Sequence, residues 1–328
     1  MKTTVGRSQI VPGVSTIREA QRFLAKYFAP TRLIFAPFLS QRTGKNVYLK
    51  LEMELPTGSF KVRGAVYALA QRMNRGPIEE VVACSTGNHG AAVAYAAKQF
   101  GIKAKIFLPT NCNPVKRGRI AALGAAIVES GGSDLASALT MTAEYAKQPG
   151  VFFLNDATDE DLPAGPATIG CEILEQLPET NAIVVPMGDT ALIRGIAAAA
   201  KQMAPQVKII GVQAEGAPSY YLSWKEGKVV GTETCDTIAD GLATRTPVAG
   251  NVREVKNLVD DVVLVSEEQM LRAIGTLLVE EHVLAEPAGA ASTAALLNGD
   301  IECGDHAALV VSGANISREV LRQAISNM

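Results

Sequence analysis

The sequence predicts an α/β protein whose parallel sheets are covered by helices on both sides. Three observations carry this. Short runs such as Ile183-Val184-Val185 and Ala307-Ala308-Leu309-Val310-Val311 are apolar at every position, as strands buried on both faces must be. Helical stretches separate these runs, the alternation expected of parallel pairing. The runs end in polar or Gly-bearing loops, and folds of this kind bind ligands where loops leave the carboxyl ends of strands. With 328 residues, the chain suits two domains, or one domain with a large insertion.

The elements follow in order. Val81-Val82-Ala83-Cys84 is a short strand that runs into Ser-Thr-Gly-Asn, and an Ala-rich helical segment continues from Ala91 to about Phe100. Ala104 to Leu108 reads as a strand ended by Pro109. Ile120 to Leu123 closes a helix, with Gly124 as its cap. Ala125 to Val128, Val151 to Leu154, Ile183 to Val185, Ile209 to Val212 and Ala307 to Val311 are the further strands. Polar stretches at 72–77 and 155–161 are candidate domain breaks and bracket an inserted domain.

Composition excludes several classes. Lys+Arg 31 against Asp+Glu 33 leaves a net charge of −2, too balanced for sequence-independent nucleic-acid binding. Mean hydropathy is +0.15, yet no run is long enough to span a bilayer. The first residues lack the apolar core of a signal peptide, so the cytoplasm is expected. The five cysteines (Cys84, Cys112, Cys171, Cys235 and Cys303) are scattered, form no CxxC pair and read as buried free thiols. Glu280-Glu281-His282 is read as a solvated helix face, because adjacent helical residues point in different directions and do not share one metal.

The stretch Leu51 to Ala65 carries the chemistry. Pro56-Thr57-Gly58 reads as a turn into a helix, with Ser59 as N-cap and Lys61 in the first turn. A cation there opposes the helix dipole, which tends to lower the amine pKa and suits a Schiff-base lysine. The loop 85–90 lies between a strand and a helix, where backbone N–H groups face an anion. Simple N-capping by Ser or Thr is the plainer reading of that loop.

The segment PTGSFKVRGA (56–65) resembles the cofactor-lysine segment of fold-type II pyridoxal-phosphate (PLP) enzymes. Within that group it is similar to the serine/threonine dehydratases and serine racemases. Cysteine and threonine synthases tend to carry Asp where this chain has Val62. CSTGNHG (84–90), PAGPATI (163–169), TIADG (237–241) with EPAGAA (286–291), and VVSGANIS (310–317) match in the same order, over nearly the whole chain. The resemblance implies two three-layer open parallel-sheet domains, like the tryptophan synthase β chain, with the cofactor in the cleft between them. It places residues 1–78 and 156–328 in a large PLP-binding domain and 79–155 in a small inserted one.

The resemblance also implies residue roles. Lys61 holds PLP and, once displaced by the substrate amine, takes the Cα proton. Phe60 packs against the cofactor ring. Ser85, Thr86, Asn88 and His89 line the substrate side: Ser85 and the nearby amides take the carboxylate, Asn88 takes the cofactor's phenolic oxygen, and His89 holds the loop. Thr86 stands where racemases carry Ser and dehydratases often Ala, so its hydroxyl leaves a minor racemase activity open. Ser312 meets the pyridine nitrogen, which suits β-elimination, and Ala314 stands where the family usually has Gly.

The phosphate loop departs from the family's tetraglycine pattern, keeping Gly188 but substituting Asp189, Thr190 and Ala191 before Leu192. We expect Thr190 to face the phosphate and Asp189 to point away and cap the helix. Some relatives bind a divalent cation here through an acid matched by Glu215, but the later acid is Tyr221, and a structural Glu215 is preferred.

The implied activity is dehydration of a 3-hydroxy-2-amino acid, L-threonine or L-serine, to a 2-keto acid and ammonia, by a homodimer with a small amino-acid substrate. Alternatives are serine racemase activity, a dehydratase of 3-hydroxyaspartate or of hydroxyectoine breakdown, or a catalytically silent PLP-binding protein. A second substrate carboxylate would want a cation, for which Arg63 or Arg194 are candidates. The chain ends soon after the SGAN segment, so the regulatory domain of biosynthetic threonine dehydratases, and with it feedback inhibition, is not expected.

Overall fold

In the computed structural model, residues 11–327 are described except 86, 111–113 and 133–134. Ten strands form two sheets. They are β1 (Leu33–Phe35), β2 (Asn46–Leu51), β3 (Glu80–Cys84), β4 (Lys103–Leu108), β5 (Ala126–Glu129), β6 (Val151–Phe153), β7 (Ala182–Pro186), β8 (Lys208–Ala214), β9 (Asp261–Val265) and β10 (His306–Val311). The larger sheet has the order β1-β2-β10-β7-β8-β9 and is parallel apart from β1. The smaller, β5-β4-β3-β6, is parallel throughout and takes every strand between Glu80 and Phe153.

The apolar runs explain the layering. In β7, Ala182 and Val184 face one core and Ile183 and Val185 the other, because successive side chains in a strand alternate. Helices Glu267–Val279 and Pro287–Asn298 cover the first face. Ala164–Gln176 and Ala191–Met203 cover the second. The smaller sheet repeats the plan. Val81 and Ala83 pack with helices Lys61–Asn74 and Asn88–Phe100, while Val82 and Phe107 pack with Ala138 on Leu135–Tyr145.

The helix Lys61–Asn74 joins the two units, packing on Asn88–Phe100 and on Ala164–Gln176. Its crossing with the latter is backbone-close: a Cβ on Gly165 would lie 2.5 Å from the carbonyl carbon of Arg63. Beneath it lies a buried charge cluster. Arg63, 2% exposed, donates from Nε to Glu52 (2.8 Å) and from Nη1 to Glu172 (2.5 Å). Lys50 donates to Glu172 Oε2 at 2.6 Å.

Several expectations need correction. The helix begins at Lys61 with Phe60 as its cap residue. Ser59 does not cap, because it forms a β-bridge with Gly313 while Phe60 N–H donates to the Ser312 carbonyl. The segment 280–282 is not a solvated helix face: the helix ends at Val279, and buried Glu281 accepts from the Leu39 amide at 2.9 Å. Cys171 and Cys303 are buried free thiols, but Cys84 and Cys235 are only half-buried, and Cys112 lies outside the described residues. No helix among the described residues is long and apolar enough to cross a membrane.

Candidate active site

Four carboxyl-terminal strand ends converge on one cleft. After β3 come Ser85, Gly87 and Asn88, after β6 Asp156, after β7 the loop 187–190, and after β10 Ser312. The helix carrying Lys61 projects its amine into the same space. Parallel strands make this convergence, because every strand delivers its following loop to the same edge.

Lys61 Nζ donates to Asp156 Oδ2 at 2.6 Å and lies 5.5 Å from the centre of the Phe60 ring. The expected lowering of the amine pKa does not occur. Burial alone lowers it, but the carboxylates of Asp156, Asp189 and Glu286 outweigh burial and raise it. Asp156 is held down at about 2: burial acts upward, and the Lys61 ammonium overrides it.

The Asn88 loop is tightly held. Ser85 Oγ accepts from the Gly87 amide at 3.0 Å, so it braces the turn rather than capping the helix. Asn88 opens that helix, donates to Glu286 Oε1 at 2.6 Å and accepts from Asn315 Nδ2 at 2.6 Å. The buried His89 ring pairs its Nε2 with the Leu154 carbonyl at 2.8 Å, and burial lowers its pKa, so it holds the loop as a neutral ring. Thr86 lies outside the described residues.

The loop after β7 is shaped for an anion. Gly188 has no room for a side chain, since a Cβ there would lie 2.1 Å from the Gly241 carbonyl oxygen. Thr190 takes a left-handed backbone (φ 71°) at the head of the helix Ala191–Met203, and its buried Oγ1 makes no hydrogen bond of normal length, with the Tyr220 hydroxyl as a neighbour. A buried hydroxyl beside free helix-terminal N–H groups fits a phosphate. The expected capping by Asp189 fails, because its Oδ1 accepts from Thr244 Oγ1 at 3.0 Å. Burial and the neighbouring Asp156 push the Asp189 carboxyl up to about 6. Ala191 and Leu192 are buried in the first turn behind the loop.

Ser312 is 5% exposed and lines the cleft from the end of β10, the strand beside β7. Glu215 is exposed and outside the cleft, and no group of three His, Cys, Asp or Glu side chains that could hold a metal occurs among the described residues. Neither proposed second-carboxylate cation lines the cleft. Arg63 belongs to the buried charge cluster, and Arg194, 2% exposed, donates from Nη1 to Glu254 at 2.8 Å while its buried Nε and Nη2 have no partner.

Sequence reasoning missed the charged residues that share the cleft with Lys61. Asp156 falls in a stretch that reads as a domain break. Asp240 and Glu286 lie in the TIADG and EPAGAA segments, which by themselves suggest no role for either. The buried Lys116 pairs with Asp240 and reaches Glu286 at 3.6 Å, from a region without periodic pattern.

A family described as pyridoxal-phosphate dependent enzyme matches residues 24–313. An L-threonine ammonia-lyase of Thermotoga maritima is 39% identical over 94% of this chain and 77% of its own length. A catabolic L-threonine dehydratase of Staphylococcus aureus is 35% identical over 93% and 90%. Among solved structures, the T.th. threonine deaminase superposes with a TM-score of 0.87 at 30% identity, covering 93% of this chain and 99% of its own. Maize serine racemase gives 0.88 at 29%, covering 97% and 98%. The cleft lysine, the anion-ready loop and these likenesses agree, and the chain belongs to the pyridoxal-phosphate dependent enzyme family.

Proposed function

We propose that this PLP enzyme is an ammonia-lyase that removes water from a 3-hydroxy-2-amino acid of the L-threonine or L-serine kind, releasing a 2-keto acid and ammonia. The observation that carries the reading is the placement of the Lys61 amine in the same cleft as the anion-ready Thr190 loop, the Asn88 turn and Ser312. The Thermotoga and Staphylococcus relatives, both named for threonine, supply the substrate class.

PLP supplies a sink for the negative charge that develops at Cα when the substrate loses its proton. Lys61 holds it and, once free, takes that proton. Thr190 Oγ1 and the amides of 188–192 would bind the phosphate, Phe60 would pack beside the ring, and Asn88 and Ser312 would hold the phenolic oxygen and the ring nitrogen. Ser85 and the surrounding amides orient the substrate carboxylate, while His89 keeps the turn in place. Neither Arg63 nor Arg194 lines the cleft, which favours threonine and serine over 3-hydroxyaspartate. The same reading places the enzyme in the cytoplasm as a homodimer. It divides the chain into a large unit (1–78 and 156–328) and an inserted unit (79–155), which the two separate sheets support.

The test is to supply the holoenzyme with L-threonine and L-serine and measure 2-keto acid and ammonia together. Equal amounts of both support the lyase reading. Inverted amino acid without keto acid would replace it with a racemase.

A further inference from the structure

The geometry points to Asp156 as a further catalytic residue, the carboxylate that keeps the proton on Lys61 once that amine has taken it from Cα. This rests on the lyase reading above. Asp156 Oδ2 lies 2.6 Å from Lys61 Nζ in a pair whose side chains are only 15% and 19% exposed. The other carboxylates facing Lys61 are engaged elsewhere: Asp189 accepts from Thr244, and Glu286 accepts from Asn88 and faces Lys116. His89 is tied to the Leu154 carbonyl, Asp240 is paired with Lys116, and burial keeps the Cys84 thiol protonated. Asp156 is thus the one carboxylate hydrogen-bonded to Nζ among the described residues.

The balance is simple. The Cα–H bond breaks and an N–H bond forms on Lys61. The electron pair left at Cα is discharged as the β C–O bond breaks, and the hydroxyl leaves as water with a proton from solvent. Lys61 later returns its proton to solvent. The competing event is return of the proton to Cα, which exchanges or racemises the substrate instead of consuming it. A charge partner at hydrogen-bond distance in a partly dry cleft stabilises the ammonium and so slows that return. Asp156 thereby biases the site toward elimination.

Two measurements test this on wild type, Asp156→Asn and Asp156→Glu. In the cofactor-free full-length chain, the rate at which an amine-specific reagent labels Lys61 is followed against pH. Asp156→Asn is expected to move the profile to lower pH and raise labelling at pH 8 several-fold, with Asp156→Glu returning it toward wild type. In the holoenzyme in D2O, Asp156→Asn is expected to raise, several-fold, the Cα deuterium in recovered substrate per keto acid formed. Asp156→Ser, smaller at the same loop position, must behave like Asp156→Asn. An unchanged labelling profile together with an unchanged exchange ratio overturns the proposal. If no 3-hydroxy-2-amino acid is turned over, the lyase reading fails by itself, while the labelling profile still decides whether Asp156 governs the Lys61 proton.

Discussion

Thr190 shows how much one side chain contributes at this site. Its hydroxyl is buried at a helix N-terminus with no hydrogen bond of normal length, an arrangement that an anion completes. Thr190→Ala should weaken PLP binding at least about tenfold, since a hydrogen bond to a charged group contributes about 1.5–3 kcal/mol. Equilibrium titration of the cofactor-free protein with PLP measures it, and an unchanged affinity would remove Thr190 from the phosphate site. Asp189 adds a pH signature. Its folded-state pKa of about 6 lies above its ordinary value, so the stability it contributes is present at low pH and lost as pH rises through 6. Asp189→Asn should therefore stabilise the cofactor-free protein at pH 8, by roughly 1–3 kcal/mol, and hardly at all below pH 4. Denaturant unfolding at the two pH values reads the difference, and an equal effect at both would exclude titration of Asp189. At this scale the gathering of Lys61, Asn88 and Ser312 in one cleft was legible, because their motifs surround them. Asp156 was not, because its pairing with Lys61 spans 95 positions and no local pattern marks it.

At the scale of elements, the site depends on where the helix Lys61–Asn74 crosses Ala164–Gln176. Gly165 permits that crossing, since a side chain there would meet the Arg63 backbone. Gly165→Ala should destabilise the fold by about 1–3 kcal/mol and lower kcat by shifting Lys61, and thermal unfolding beside steady-state kinetics checks both. The charge cluster below the crossing is more demanding. Removing the Glu172 carboxylate leaves Lys50 and Arg63 short of a buried partner, so Glu172→Leu should lose about 3–5 kcal/mol of unfolding free energy in a denaturant titration. A loss below about 1 kcal/mol would mean the cluster relaxes into solvent. The fully apolar strands were readable from periodicity, while β2 was not singled out, for a related reason. It carries Lys50, and a lysine in a run suggests a surface, yet here it is 0% exposed and paired with Glu172. Ser59 likewise looked like a cap because local chemistry favours it, but pairing with Gly313 from a distant loop prevailed.

At the scale of the molecule, two parallel sheets aim their carboxyl ends at one cleft, and the joining helix supplies the lysine. The α/β class and the convergence of loops were legible because strand composition reports burial on both faces. The charge arrangement in the cleft was not, because it is assembled from Lys116, Asp156, Asp240 and Glu286, which lie far apart in the chain. Lys61, rather than the cleft's other lysine, Lys116, is the proposed base of a water-eliminating reaction. The most direct measurement is 2-keto acid formation from L-threonine and L-serine by wild type, Lys61→Ala and Lys116→Ala. Wild type should form product, Lys61→Ala should be slower by at least about a hundredfold, and Lys116→Ala should retain measurable turnover. Product formation by Lys61→Ala at the wild-type rate, or a PLP-loaded wild type that forms no keto acid from either substrate, would contradict it.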